Sequence, residues 1–475
     1  MKKYLFILCI LLSSCIFGTR PKPSPSDNIV NTPNQNTVIL PQEDISGKIC
    51  VRKNGSGQWQ LFVYGNPMII KGVTYAPTKV GLSPDSMPGV QNEWFSNDDN
   101  NNQKSDSAYD SWVDLNNNNL KDAEEDAIGD FKLMKDMGVN AIRLYYTKAP
   151  YDSSECDKNI LRELYNNYGI RVIMGNFLGA YTIGADIAWP GPTDYTNAWQ
   201  KDKIKKYVRD MVEDHKNEPY ILMWVLGNEN ESPWAATNAA MNMEPYTKFV
   251  GEVADMIHEI DPVHPVAVCA WDNPEQYVYY KMFAGDVDIF GVNSYRGSSG
   301  FGNLWQGFKS LIDKPMIITE YGCDAYVKDI GENQISQENY HRACWNDILF
   351  NCAGYGGQGN SIGGIIFEWA DEWWKKQGGY SALYHDTAGP WQGPFPDGWA
   401  HEEWFGITAQ NNSDNGAQNT ISPFQRNLRS VYNAYKNELW QDSFIPSAPL
   451  NKMSSMSSSK WQAITNKEPL YKIKE

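Results

Sequence analysis

Two acidic residues close apolar runs in this 475-residue chain. One run, Trp224 to Gly227, ends in Asn228-Glu229-Asn230-Glu231; the other, Pro315 to Thr319, ends in Glu320. Carboxylates and amides at the lip of a buried strand are unfavourable unless they are used. A pair of carboxylates held roughly 5 to 5.5 Å apart is what retaining glycoside cleavage needs, one as nucleophile and one as proton donor and acceptor. Either glutamate alone reads equally well as a helix N-cap or half of a surface salt bridge. Together, each after an apolar strand, they point to that chemistry.

Those carboxylates must be held by the elements around them. Apolar runs at 69–75, 139–146, 170–177, 221–227, 265–271, 288–295, 315–321 and 362–369 read as strands. The segments between them, among them KIKKYVRDMVEDHK and EPYTKFVGEVADMIHEI, carry apolar residues at helical spacing. Strand and helix repeated eight times predicts an α/β fold, a (β/α)8 TIM barrel. An open doubly wound sheet has the same alternation, but the count of eight and the lack of a Gly-rich phosphate loop after the first strand favour closure. The stretch WQLFVYGNPMII predicts an N-terminal β-hairpin, turning at Gly65-Asn66, that plugs the barrel's bottom. In such barrels reactive groups gather at the C-terminal ends of strands. That end collects Arg143 from strand two, Asn228 and Glu229 from strand four, Asn293 and Tyr295 from strand six, Glu320 from strand seven, and Glu368, Trp369, Asp371 and Glu372 from strand eight.

LGNE at 226–229 and TEYG at 319–322 resemble the acid/base and nucleophile strands of glycoside hydrolase clan A, a group of retaining enzymes on this barrel. KGVTYAP, GVNAIRLYY and SYRG are similar to clan patterns too, and the resemblance runs from about Gln58 to Trp374. It implies that Glu229 is the general acid/base and Glu320 the nucleophile. Asn228 would hold the sugar 2-hydroxyl, Arg143 and Tyr295 would flank the nucleophile, and Trp369 would floor the sugar site. Asn293 and Tyr75 are placed with them as substrate-binding groups. For Tyr295 the alternative is a rim aromatic packed on a loop; for Arg143 it is an ion pair with an acidic rim residue such as Asp371. No cofactor is needed for this catalysis.

The stretch KPMIITEYGCDAY is similar to the nucleophile segment of β-1,3-glucanosyltransferases, and their barrels also open with a hairpin leading into a KGVxY strand. Family 2 barrels, of the β-galactosidase, β-glucuronidase and β-mannosidase types, share LGNE and the strand-two Arg but normally follow two β-sandwich domains. Residues 44–68 leave no room for one such domain of about 100 residues. The expected activity is a retaining glycosidase or transglycosidase on β-linked glucan. A β-galactosidase- or β-mannosidase-type exoglycosidase, or an inactive carbohydrate-binding lipoprotein, is the alternative. After strand eight, residues 367–406 hold six Trp, to stack along an oligosaccharide or polysaccharide or to pack as a lid.

Between strands one and two, Asp114, Asn116, Asn118, Asp122 and Glu125 fall at positions 1, 3, 5, 9 and 12 of an EF-hand-type loop, with the Leu120 carbonyl at position 7 and Asn119 where Gly is usual. This predicts a structural Ca²⁺ site; the alternative is a solvated Asn-rich insertion. The neighbouring stretch Ser96 to Ser107 is equally polar and reads as lacking such order.

The formal charge of −16 argues against a nucleic-acid partner. Eighteen Trp, 27 Tyr and 17 Phe are more aromatic surface than a core needs and suit sugar faces. MKKYLFILCILLSSC has the basic start and short apolar run of a secretory signal. Its Leu12-Ser13-Ser14-Cys15 resembles a bacterial lipobox, which implies lipidation of Cys15; an ordinary cleaved signal is the alternative. The expected organisation is a signal peptide over 1–15, a flexible linker over 16–43, the barrel over 44–445 and a low-complexity tail over 446–475. The protein is expected to be exported, monomeric and tethered to a membrane, at the outer membrane, the periplasmic face or the cell surface. Six cysteines lie outside the leader, with no zinc spacing and no deducible pairing.

Overall fold

The computed structural model describes residues 44–84, 93–118, 120–147, 156–188, 191–375, 382–410 and 424–449. The leader, Cys15, the linker, Asn119 and most of the expected tail lie outside the described residues. From Asp44 onward the chain forms one compact unit. All eight predicted strands form, at Ile70–Thr74, Ala141–Leu144, Arg171–Asn176, Ile221–Leu226, Val266–Trp271, Ile289–Asn293, Met316–Tyr321 and Ser361–Ile366. They pair in parallel and close into a barrel, the eighth strand returning to the first through Gly363 opposite Ile70.

The strands are buried almost throughout because both faces are covered. Outward residues such as Val73, Ile142, Trp224 and Ile318 pack beneath the helices, while inward residues such as Ala141, Ile173, Val225 and Ile317 fill the barrel. The helices start where the sequence offers caps: Asp157 accepts from the Asn159 amide, Asn197 from Trp199 and Gln200, and Asn333 from Ser336. After strand eight the ring is completed late, by the helical turns Ser430–Ala434 and Tyr435–Leu439.

The N-terminal element is a three-stranded antiparallel sheet, Ile49–Lys53, Trp59–Val63 and Asn66–Met68, rather than a two-stranded hairpin. Ile49 and Leu61 pack into the same cluster as the barrel interior, so it does plug that end. The expected turn at Gly65-Asn66 sits one residue earlier. Val63 pairs with Asn66, and Tyr64 and Gly65 both have positive φ, 51° and 84°, the pattern of a type I′ turn. Beyond the expected end of the barrel at 445, Ser447 still exchanges hydrogen bonds with Asn346, donating its amide at 2.9 Å and accepting at 2.8 Å.

The Trp-rich segment after strand eight is mostly packed. Trp369 and Trp373 are buried, and Trp374, Trp399 and Trp404 are half-buried. His385 is stacked between Trp373 and Trp404 and pushed down to about 3 by burial. Only Trp391 among the six is well exposed, at 45%.

Candidate active site

Strand four delivers the first carboxylate through a sharp turn. Gly227 takes φ 77°, and a Cβ there would lie 2.7 Å from Asn230 Oδ1. Glu229 itself has φ 53°, a left-handed conformation that a non-glycine residue holds only under constraint. That constraint is Asn230, fully buried, whose Oδ1 accepts from the Asn228 amide at 2.8 Å while its Nδ2 donates to the Phe177 carbonyl, 3.0 Å, and to Tyr195 Oη, 2.7 Å. Glu231, also buried, accepts from the Trp271 amide at 3.1 Å and Tyr280 Oη at 2.9 Å, and burial pushes it up to about 7. Of the four polar residues in NENE, the second Asn and second Glu therefore fix the loop that aims the first pair.

Strand seven delivers Glu320, 7% exposed. The following Gly322 is required by close approach: a Cβ there would stand 2.0 Å from the Phe367 carbonyl oxygen at the end of strand eight. Three donors meet the Glu320 carboxylate. Arg143 Nη1 and Tyr145 Oη reach Oε1 at 3.0 and 2.7 Å, and Tyr295 Oη reaches Oε2 at 3.0 Å. The other end of the Arg143 guanidinium donates to Asn228 Oδ1 at 2.9 Å, so one buried side chain ties Glu320 to the residue beside Glu229. Asn293 Nδ2 adds a second bond to Asn228 Oδ1 at 3.1 Å, and Thr319 Oγ1 donates to Asn293 Oδ1 at 2.8 Å. Cys269 Sγ sits among these groups, 3.1 Å from Asn293 Oδ1.

The two carboxylates are treated differently by their surroundings. Glu229 is pushed up to about 8, first by burial and then by the negative charge of Glu320, against a 2.9 Å hydrogen bond from Trp234 Nε1. A carboxyl that keeps its proton near neutrality beside one fixed by three donors is the division of labour of a proton donor and an attacking group.

The structure brings Glu229, Glu320, Asn228, Arg143, Asn293 and Tyr295 together, and Asp371 is engaged by Arg429 at 2.7 Å on both oxygens rather than by Arg143. It removes two residues from the set. Tyr75 lies in the layer between strands and helices, its hydroxyl donating to Asp130 at 3.0 Å and its ring edge-on to Trp94. Trp369 packs outward in the same layer against Tyr432. The aromatic beside the carboxylates is instead Phe367, two residues earlier, in a cluster with Tyr145, Tyr295, Phe395 and Phe405. Strand eight ends at Ile366 rather than at the expected Trp369, which shifts the rim position back to Phe367.

Sequence reasoning also missed Tyr145 and Trp234. Tyr145 lies two residues past Arg143, on the same side of an extended chain, and that spacing could have found it. Trp234 follows Glu229 on an irregular loop with no periodicity to read. Trp271 at 5.5 Å and Trp391 at 5.9 Å flank its ring, so three aromatic rings cluster beside Glu229. The expected calcium residues do come together on their loop. Asp114 and Glu125 are buried, Asn116 and Asn118 donate to Asp122 Oδ2 at 2.6 and 2.7 Å, and Glu125 accepts from the amides of Leu115 and Asp122.

The chain is a closed (β/α)8 barrel that carries this pair at one rim, and part of it is similar to known glycoside hydrolase barrels. Residues 122–343 match the family model described as Glycosyl hydrolases family 2, TIM barrel domain. Among curated relatives, a beta-glucuronidase of Paenibacillus borealis is 25% identical over 42% of this chain and 32% of its own length. A 1,3-beta-glucanosyltransferase of Aspergillus fumigatus is 28% identical over 41% of each chain, and a beta-galactosidase of Priestia megaterium is 37% identical over 22% of this chain and 10% of its own. The matches thus span well under half of these relatives. A solved beta-D-glucuronidase of Dictyoglomus thermophilum aligns over 82% of this chain and 53% of its own at 16% identity, with a TM-score of 0.48.

Proposed function

We propose that the protein is a retaining glycosidase or transglycosidase acting on a β-linked glucan by double displacement. Glu320 attacks the anomeric carbon while Glu229 protonates the departing oxygen; Glu229 then deprotonates the water or sugar hydroxyl that resolves the glycosyl-enzyme. The observation that carries this reading is the opposed setting of the pair, Glu229 protonated to about pH 8 under the influence of a Glu320 held by Arg143, Tyr145 and Tyr295. Asn228, its oxygen held by Arg143, Asn293 and Cys269, would turn its Nδ2 to the sugar, and Phe367, with Lys375 over its ring, would line the sugar site. The cluster of Trp234, Trp271 and Trp391 beside Glu229 supports a substrate with more than one sugar, because aromatic rings suit sugar faces. The Aspergillus fumigatus relative and KPMIITEYGCDAY support a β-1,3 linkage.

The test is a panel of β-linked glucans, galactans and mannans assayed with wild type and Glu320→Gln. Wild-type turnover in the variant would overturn the mechanism. On a laminari-oligosaccharide ladder, products longer than the substrate identify transfer. Covalent labelling of the Glu320 peptide by a 2-fluoro glycoside separates an enzyme from an inactive binding barrel. We propose further that Cys15 carries a lipid anchor on an exported protein, and that Ca²⁺ sits in the loop 114–125 in a structural role. There the buried carboxylates of Asp114 and Glu125 and the convergence of Asn116, Asn118 and Asp122 are what support it.

A further inference from the structure

The stretch just before that loop, read from its sequence as polar and without order, is ordered in the same way. Asn118 donates its amide to Asp114 Oδ1 at 3.2 Å and to Asn116 Oδ1 at 3.0 Å, and the Leu120 amide donates to Asn118 Oδ1 at 2.7 Å. Sixteen residues earlier, a shift given by 114 − 98, the pattern recurs. Asn102 donates its amide to Asp98 Oδ1 at 2.9 Å and to Asn100 Oδ1 at 3.0 Å, and the Lys104 amide donates to Asn102 Oδ1 at 2.8 Å. The residues at the fourth position match as well, Asn117 with φ 60° and Asn101 with φ 57°. In each loop the amides at positions 3 and 5 converge on one carboxylate oxygen. It is Asp122 Oδ2 in the later loop and Asp110 Oδ2 in the earlier, at 3.0 Å from Asn100 Nδ2 and 2.5 Å from Asn102 Nδ2.

Repeated turns alone would be loop geometry. What points to a ligand is Asp106, at position 9, which is 0% exposed. Its Oδ2 accepts from Asn97 Nδ2 and the Asp99 amide, but its buried Oδ1 has no hydrogen-bond partner. A buried carboxylate oxygen left bare is expensive. The ionisable groups nearest to it are Asp98, Asp99 and Asp110, all carboxylates. Lys79 is paired with Asp99, and Lys104 lies over the Tyr109 ring at 5.8 Å. Among the described residues no three Asp, Glu, His or Cys groups would hold a metal by themselves. A hard cation does not require that: it takes six to eight oxygens, with amide and main-chain carbonyls making up the set.

We propose that loop 98–110 is a second calcium site, with Asp98, Asn100, Asn102, Asp106 and Asp110 and the Lys104 carbonyl as its oxygen donors. This stands apart from the enzymatic reading. The test is calorimetric titration of the EDTA-treated full-length protein with CaCl2, for wild type, Asp114→Ala/Glu125→Gln, and Asp106→Asn. Asp106→Asn should lose one equivalent of calcium, and the first-loop variant should keep an equivalent that raises its Tm. Because Asp106 is buried, Asn100→Ala/Asn102→Ala, at the loop surface, is the second variant, expected to weaken that equivalent at least tenfold with an unchanged circular dichroism spectrum. A wild-type protein that binds no calcium, or binding that both second-loop variants leave unaltered, overturns the proposal. One equivalent lost only in the second-loop variants upholds it and removes the site at 114–125 instead.

Discussion

At the level of single residues, the pair Glu229 and Glu320 is coupled in a way that makes its pH behaviour specific. Glu229 rises from its ordinary 4.5 to about 8, burial acting first and the Glu320 charge second. The folded state therefore holds a proton that the unfolded chain releases, so the stability this group contributes declines as pH climbs from about 4.5 to 8. For catalysis the same shift means that kcat/KM should fall on the alkaline side with an apparent pKa near 8, and that Glu229→Gln should abolish this limb while lowering kcat about 10²–10⁴-fold. Removing the Glu320 charge, by Glu320→Gln or by the covalent glycosyl ester, should move the Glu229 titration downward; isotope-edited infrared spectroscopy of the carboxyl reads this directly. An unmoved titration would mean that the two groups do not sense each other. In the proposed mechanism that downward step would let Glu229 act first as acid and then as base. Tyr145→Phe removes one hydrogen bond to the Glu320 carboxylate, and a bond to a charged group is worth about 1.5–3 kcal/mol. The expected loss is about 10- to 100-fold in kcat/KM with the fold intact, measured beside the melting temperature.

At the level of elements, the return of the chain after strand eight is held by buried charge. Arg426, on the short strand Gln425–Leu428, forks onto both oxygens of Asp130, at 2.9 and 3.0 Å, and neither side chain is exposed. Asp130 opens the first helix of the ring and also accepts from Tyr75 and Ser111. Arg426→Ala would leave that carboxylate buried without its countercharge, a change that costs about 3–5 kcal/mol. Chemical denaturation should show it, while Arg426→Ala/Asp130→Asn recovers part of the loss; a variant as stable as wild type would mean the contact is dispensable. This contact also shows where sequence reading stops. The eight strands were legible because each is an apolar run set by local composition, and Glu229, Glu320 and Arg143 were legible because they end or interrupt such runs. Arg426 and Asp130 were not, since each is an ordinary surface-type residue until the chain brings them together across 296 positions. Trp369 failed because strand eight was taken three residues too long, which makes an outward residue read as an inward one, and Tyr75 because it shares the outward face of Val73.

At the level of the whole molecule, the question is how the proposed enzyme would meet a polymeric substrate. If Cys15 is lipidated, residues 16–43 form the tether, 43 − 15 = 28 residues rich in Pro, Asn and Ser. A flexible chain of that length has an end-to-end distance of about 30 Å, comparable to a small domain's diameter. The barrel would then be confined near the membrane, which suits an insoluble or cross-linked glycan more than a diffusing disaccharide. Anchoring and chemistry should separate cleanly, because the compact unit begins only at Asp44 and its carboxylate pair takes every hydrogen bond described above from within that unit. Cys15→Ser should therefore move the protein from the membrane to the soluble fraction and abolish incorporation of labelled palmitate. It should leave kcat/KM on a short laminari-oligosaccharide within about twofold of wild type, since no contact within the barrel is altered. Turnover of particulate glucan by intact cells should fall, because the local concentration imposed by the tether is lost. A variant that stays with the membrane fraction would assign the attachment to something other than this cysteine, and a parallel loss of activity on the soluble oligosaccharide would show that the leader shapes the site itself.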